Sequence, residues 1–229
     1  MCTARPRPRW LVNVCVSRTG LWATVLALSV ALAVGCGQEE DERGRSCPGG
    51  AGRNLSGRTV DGVDLWQKKL RCINLEGSEL TGSVSEANLS RGNLFGARLT
   101  DVSLESVDLR DADLRRARLT AGTLAEVDLR GADLGGASLD RTMLTNVSFG
   151  GGRLRGTNLR SASLTNVDFS HADLRDADLS DAELSGSTLR GARLDGADLS
   201  GASWENVVCP DGTKSIGTRS CKGHFTPAS

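Results

Sequence analysis

The 229-residue sequence predicts an all-β chain wound into a four-sided stack of short coils, and three observations lead there. From Ala87 to Asn206, 24 consecutive pentapeptides carry Leu at the centre in 21 cases, with Phe149, Phe169 and Trp204 completing the series. Two residues before each centre stands a small or β-branched residue: thirteen Ala, five Val, three Gly, two Thr and Ser187. Whole phrases recur at twenty, as in LTNVSF from Leu144 and LTNVDF from Leu164.

A period of five fits neither common element. On an α-helix five steps leave each leucine rotated by about 140° from the last, so the leucines wander around the surface. On a straight strand an odd step sends successive leucines to opposite faces. Only a chain that turns once per pentapeptide returns every leucine inward, and such units gain stability by stacking. The twenty-residue period closes one coil after four sides, so Val107, Val127, Val147 and Val167 should stack, as should Phe149 and Phe169. The 120 regular residues make six coils, about 29 Å tall at the inter-strand spacing of about 4.8 Å.

The segments follow in order. Residues 1–35 read as a signal peptide: Arg5, Arg7, Arg9 and Arg18 precede an apolar run from Leu21 to Val34, which is short for a membrane span. Ala33–Val34–Gly35–Cys36 resembles the lipobox of bacterial lipoproteins, although Ala33 stands where that family usually has leucine. The resemblance implies cleavage before Cys36, acylation of its sulfur and a membrane anchor. Residues 36–60, with the stretch GQEEDERGRS, read as the lipidated cysteine and a solvated tether. Residues 61–86 read as an irregular first coil. Leu65, Leu70, Leu75 and Leu80 keep the step of five, but Leu80 to Leu89 is nine, which places a distorted corner around Val84. Lys68 also stands where a small residue is expected. Residues 87–206 form the solenoid and 207–229 a C-terminal cap.

ANLSRGNLFGARL, ADLRRARL and ADLRDADLSDAEL resemble the A(D/N)LXX units of the pentapeptide-repeat family over about residues 61–208. That resemblance implies a right-handed quadrilateral β-helix, here of six to seven coils, with the central and small residues both inward. Leu134 is accordingly expected inside the stack and Asp133 outside it, where its loss should cost little.

With residues 1–35 removed, 24 basic and 28 acidic residues remain. That mild negative balance argues against a nucleic-acid binder driven by counterion release. Cys2 and Cys15 leave with the signal and Cys36 is assigned to lipid. Cys47, Cys72, Cys209 and Cys221 are left, an even number for an oxidising compartment. Four cysteines allow three connectivities, and closeness in sequence favours Cys47–Cys72 and Cys209–Cys221. The final CPDGTKSIGTRSCKGHF resembles a tail of exported bacterial repeat proteins. A metal set of Cys209, Asp211, Cys221 and His224 lacks the close ligand pairs of zinc sites.

No nucleophile elbow or phosphate loop is found, so no catalytic residue, cofactor site or metal site is assigned. His171 falls on an exposed corner. Two further classes compete with an interaction module. One is a carbohydrate-active enzyme using the column of Asp108, Asp128 and Asp168, whose spacing of about 5 Å suits retaining glycoside hydrolysis. The other is a DNA mimic that binds a topoisomerase, as some members of the family do. Residues 87–206 carry 18 acids and 14 arginines, and Arg115, Arg155 and Arg175 share one column that interrupts a duplex-like potential. The expected function is a non-enzymatic structural or interaction module of the bacterial cell envelope. Its expected contacts are the membrane through Cys36 (outer membrane favoured, or a secreted form), an unidentified envelope protein and a second copy through an end coil. Nucleic acid is not expected.

Overall fold

The computed structural model describes residues 52–215 and Cys221. They form a parallel β-solenoid of about seven turns with about 20 residues per turn. Strand β1 (Thr59–Asp61) pairs with β2 (Glu79–Thr81). Seven strands make the second sheet: β3 (Ser83–Ser85), β4 (Ser103–Glu105), β5 (Thr123–Ala125), β6 (Met143–Thr145), β7 (Ser163–Thr165), β8 (Glu183–Ser185) and β9 (Ser203–Glu205). We call the side bearing β3–β9 side 1. Sides 2, 3 and 4 follow it along the chain, each held by single parallel bridges such as Asp108↔Asp128, Asp113↔Asp133 and Arg118↔Ser138.

The core is one continuous column of central and small residues. Phe149 lies on Phe169 with ring centroids 5.1 Å apart and planes 2° from parallel. Like therefore stacks on like at the twenty-residue step. Buried hydroxyls at small positions are satisfied by the preceding coil: the Thr157 hydroxyl donates to the Leu134 carbonyl at 2.8 Å. Ser187 donates to the Leu164 carbonyl and accepts the Val167 N–H, both at 3.0 Å. No buried polar side-chain atom among the described residues lacks a partner.

The N-terminal coil differs from the regular coils in three ways, of which the shortened corner near Val84 is the one the sequence predicts. Residues 54–60, assigned to the tether, are already wound: Asn54 bridges Asn74, and Val60 pairs with Leu80. Leu55 and Val60 extend the inward step of five backward from Leu65, and burying them holds this segment in the stack. The shortened corner lies between Gly82 and Ser83. Gly82 takes the left-handed conformation (φ 74°) that ends a regular side, and Ser83–Val84 then occupy the strand without the small inward residue that normally precedes it. Val84 thereby becomes a buried central residue paired with Leu104. Finally, a 3₁₀ turn (Gly62–Leu65) replaces the usual corner. Gly62 is buried while Val63, at the expected small position, is 70% exposed. Lys68 is exposed too, its ammonium donating to the Asp64 carbonyl.

Candidate functional site: four outer sides and a closed end

Each corner presents a backbone N–H one residue after the central leucine, and a buried or shielded N–H needs an acceptor. On sides 2, 3 and 4 that acceptor is repeatedly the Asp or Asn just before the leucine. Arg110, Arg115, Arg130 and Gly135 donate their N–H groups to Oδ1 of Asp108, Asp113, Asp128 and Asp133, each at 3.1 Å. Asn93 does the same for Phe95 at 3.1 Å and Asn158 for Arg160 at 2.9 Å. These are Asx turns, in which a short polar side chain substitutes for a backbone partner. Asp133 therefore points outward, as expected, but it is bonded to the corner rather than merely solvated.

Side 1 differs in kind. Here the residues on both sides of the centre belong to a strand and pair in register with the coils above and below, so no Asx is needed before the centre. Ser103, Thr123, Met143 and Ser163 occupy that position. Over β5–β7 the outward residues are Thr123, Ala125, Met143, Thr145, Ser163 and Thr165, with no charge among them. Met143 is 58% exposed at their centre.

Sides 2, 3 and 4 carry the charge, and much of it is interlocked. Arg110 grips Asp108 with two bonds of 2.9 and 2.7 Å, Arg130 grips Asp128 at 2.9 and 2.6 Å, and Arg175 grips Asp173 at 2.7 and 2.5 Å. Partial burial raises the Asp108 pKa, but the Arg110 side chain and N–H outweigh it and hold the carboxyl below its ordinary range. The Arg130 guanidinium lowers Asp128, and Arg115 and Arg175 lower Asp113 and Asp173.

This arrangement bears on the column of aspartates weighed for carbohydrate chemistry. Asp108 and Asp128 do adjoin in one column, and Asp168 joins it below Ser148. Glycoside hydrolysis, however, needs one carboxyl raised to act as acid. Asp108 and Asp128 are both driven the other way, onto arginines that face solvent. His171 sits on an exposed corner with φ 59°.

Acid titration should reveal these contacts. The carboxyls of Asp108, Asp113, Asp128 and Asp173 are lowered in the folded chain, so the unfolded chain binds more protons in the window below the ordinary pKa of about 3.9. Their contribution is complete above that value and is lost as pH falls through the folded values. Thermal unfolding followed by circular dichroism should be flat between about pH 7 and 5 and drop below about 4. Arg110→Gln with Arg130→Gln should flatten that drop, though modestly, because both pairs are solvent-exposed.

The C-terminal end is closed by a fold-back. Val208 pairs parallel with Thr188 and antiparallel with Lys214. Between them Pro210–Asp211–Gly212 turns the chain, with the Gly212 N–H on the Cys209 carbonyl at 2.8 Å. Cys209 is joined to Cys221, Cα–Cα 5.5 Å. Both sulfurs are thereby removed from any metal set, and His224 lies outside the described residues. No group of three metal-ligating side chains occurs among the described residues. Cys72 is disulfide-bonded; Cys47 and the acylation candidate Cys36 lie outside the described residues. No helix among the described residues is long and apolar enough to cross a membrane.

Residues 85–120, 124–160 and 161–203 match the family described as pentapeptide repeats, in 8 copies. No curated protein matches the chain. Among solved structures, QnrB1, a plasmid-mediated fluoroquinolone resistance protein, is 20% identical with a TM-score of 0.43, covering 68% of this chain and 89% of its own. HetL from the cyanobacterium Nostoc sp. PCC 7120, involved in heterocyst differentiation regulation, is 24% identical with a TM-score of 0.27, covering 71% and 92%. A pentapeptide repeat protein of the Arabidopsis thaliana thylakoid lumen is 30% identical with a TM-score of 0.28, covering 44% and 63%. At these scores the likenesses add nothing to the assignment, which rests on the repeat itself. Matched over half its length by that repeat, and stacking it at a step of twenty, the chain belongs to the pentapeptide repeat family.

Proposed function

We propose that the protein is exported, anchored by lipid at Cys36, and acts in the bacterial envelope as a non-enzymatic interaction module whose binding face is side 1. The observation that carries the choice of face is the contrast between sides. On sides 2 and 3 arginines and aspartates already satisfy one another, whereas the middle of side 1 is flat, uncharged and centred on exposed Met143. A partner covering it desolvates hydroxyls and a thioether rather than ion pairs, which costs far less. The lipobox-like Ala33–Cys36 and the Cys209–Cys221 disulfide support an oxidising compartment outside the cytoplasm. Duplex mimicry is the weaker alternative, since the arginines that grip Asp108, Asp128 and Asp173 break any continuous acidic side.

Crosslinking in the native envelope tests this. Thr123→Lys, Met143→Glu and Thr165→Lys together should abolish capture of a partner that Asp128→Asn or Asp168→Asn alone leaves in place. Loss of phenotype on either single aspartate change, with capture indifferent to the triple change, would favour catalysis instead. Cys36→Ser should abolish acyl labelling and release the chain from membranes; unaltered labelling removes the anchor.

A further inference from the structure

The first coil is chemically unlike the rest. Between Gly52 and Arg71 stand five basic residues, Arg53, Arg58, Lys68, Lys69 and Arg71, against only Asp61 and Asp64. The regular coils downstream carry more acids than arginines. The same coil holds two of the three exposed large hydrophobic residues of the described chain, Val63 at 70% and Trp66 at 53%.

Both are displayed by one local device. The Asp61 carboxylate caps the 3₁₀ turn by accepting the Val63 N–H at 3.1 Å. Gly62 takes the inward place, which swings Val63 outward. The Trp66 N–H closes the turn on the Val63 carbonyl at 3.3 Å, so the indole and the valine belong to one loop. The Lys68 ammonium reaches back to the carbonyl of Asp64, between them in sequence, and so brings a cation to the apolar pair. Arg53 and Arg58 are exposed in the same coil, a layer about 4.8 Å tall.

We propose that this coil docks on an anionic lipid surface, seating Val63 and Trp66 among the headgroups with Arg53, Arg58 and Lys68 around them. The inference rests on the envelope location proposed above and names a second contact with the membrane besides the anchor. An amphipathic indole favours the interface, lysine and arginine stems cover apolar surface while their charges meet lipid phosphate, and anionic headgroups attract such clusters. A protein partner for two apolar side chains would leave the excess of positive charge unexplained; an anionic bilayer uses both. Fifteen residues separate Cys36 from Gly52, at most about 50 Å of chain, so anchor and coil can engage one membrane together.

The test reads Trp66 itself. In the mature lipidated chain, which lacks Trp10 and Trp22, Trp204→Phe leaves Trp66 as the remaining tryptophan. Phenylalanine is accommodated at central positions 149 and 169, which favours its use at 204. The chain is reconstituted with phosphatidylcholine–phosphatidylglycerol vesicles whose acyl chains are brominated. Trp66 emission should shift to shorter wavelength and lose most of its intensity to bromine, less so without phosphatidylglycerol. Arg58→Glu with Lys68→Glu should abolish the quenching. In the otherwise native chain, Trp66→Ala should remove a quenchable component, which covers the case of a Trp204 variant that folds poorly. A chain that sediments with vesicles while Trp66 emission is unchanged from vesicle-free solution overturns the docking and leaves the anchor standing. A chain that does not sediment at all overturns both.

Discussion

Leu134→Asp should unfold the middle of the solenoid. Leu134 is 0% exposed and its N–H holds the next coil through the Arg153 carbonyl at 2.7 Å. A carboxylate there has no cationic partner in the leucine column, and an unpaired buried charge costs roughly 3–5 kcal/mol or more. A solenoid repeat contacts only its neighbours, so a break in the middle separates the stack into two short pieces, each with a new open end. Urea unfolding followed by circular dichroism should lose its single sharp transition. Asp133→Ala is the control, and its cost is intermediate rather than negligible. Removing Oδ1 orphans the Gly135 N–H, which it holds at 3.1 Å, a loss of about 1 kcal/mol by analogy with helix caps. The ion pair to Arg153 at 3.9 Å adds little at this exposed site. Equal effects from the two substitutions would refute the inward register.

Gly62→Ala should detach the first coil. A Cβ at Gly62 would stand 2.4 Å from the Ser83 carbonyl oxygen and 2.6 Å from its carbon. Both atoms are backbone, so no side-chain rotation relieves the clash. The crowding arises from the corner shortened between Gly82 and Ser83, which draws Ser83 in beneath Gly62. Overpacking of this kind costs about 1–3 kcal/mol, and more where backbone must move. The damage should remain local: amide exchange and proteolysis should quicken over residues 54–66 while 87–206 stay protected. Gly136→Ala is the comparison. Gly136 is left-handed at φ 65° with nothing within 4 Å of the added carbon, so only a conformational cost of about 1 kcal/mol applies. If Gly62→Ala lost no more protection than Gly136→Ala, the contact with Ser83 would be refuted as the cause.

The regular coils are readable because every central residue states its own orientation. Leu109, Leu129, Phe149, Phe169 and Leu189 share side 2 at a step of twenty, and neither the helix nor the strand period can bury them together. The first coil is harder to read. Leu55 and Val60 are in step, yet the charged stretch before them suggests a longer tether. Val63 looks like an inward small residue, because nothing local reveals that Gly62 will replace it.

The outer positions carry a signal that is only half legible. Asp or Asn before the leucine repeats along sides 2, 3 and 4, and Ser, Thr, Met or Glu takes that place on side 1 between Ser103 and Ser203. That difference is visible in the sequence, but its cause is not. An Asx side chain answers a corner N–H only two residues away, whereas side 1 answers its own through pairing with residues twenty positions distant. The four sides, the leucine column and the stacking of Phe149 on Phe169 are all contained in the sequence, since each follows from a period that one chain repeats. The folded corner is what ties the aspartates to an N–H two residues on and, at Asp108, Asp113, Asp128 and Asp173, to a guanidinium at the same distance in sequence. Stacking on the adjacent coil makes side 1 a continuous paired sheet and sets Gly62 against Ser83, with Val63 outward, because both depend on what that coil presents.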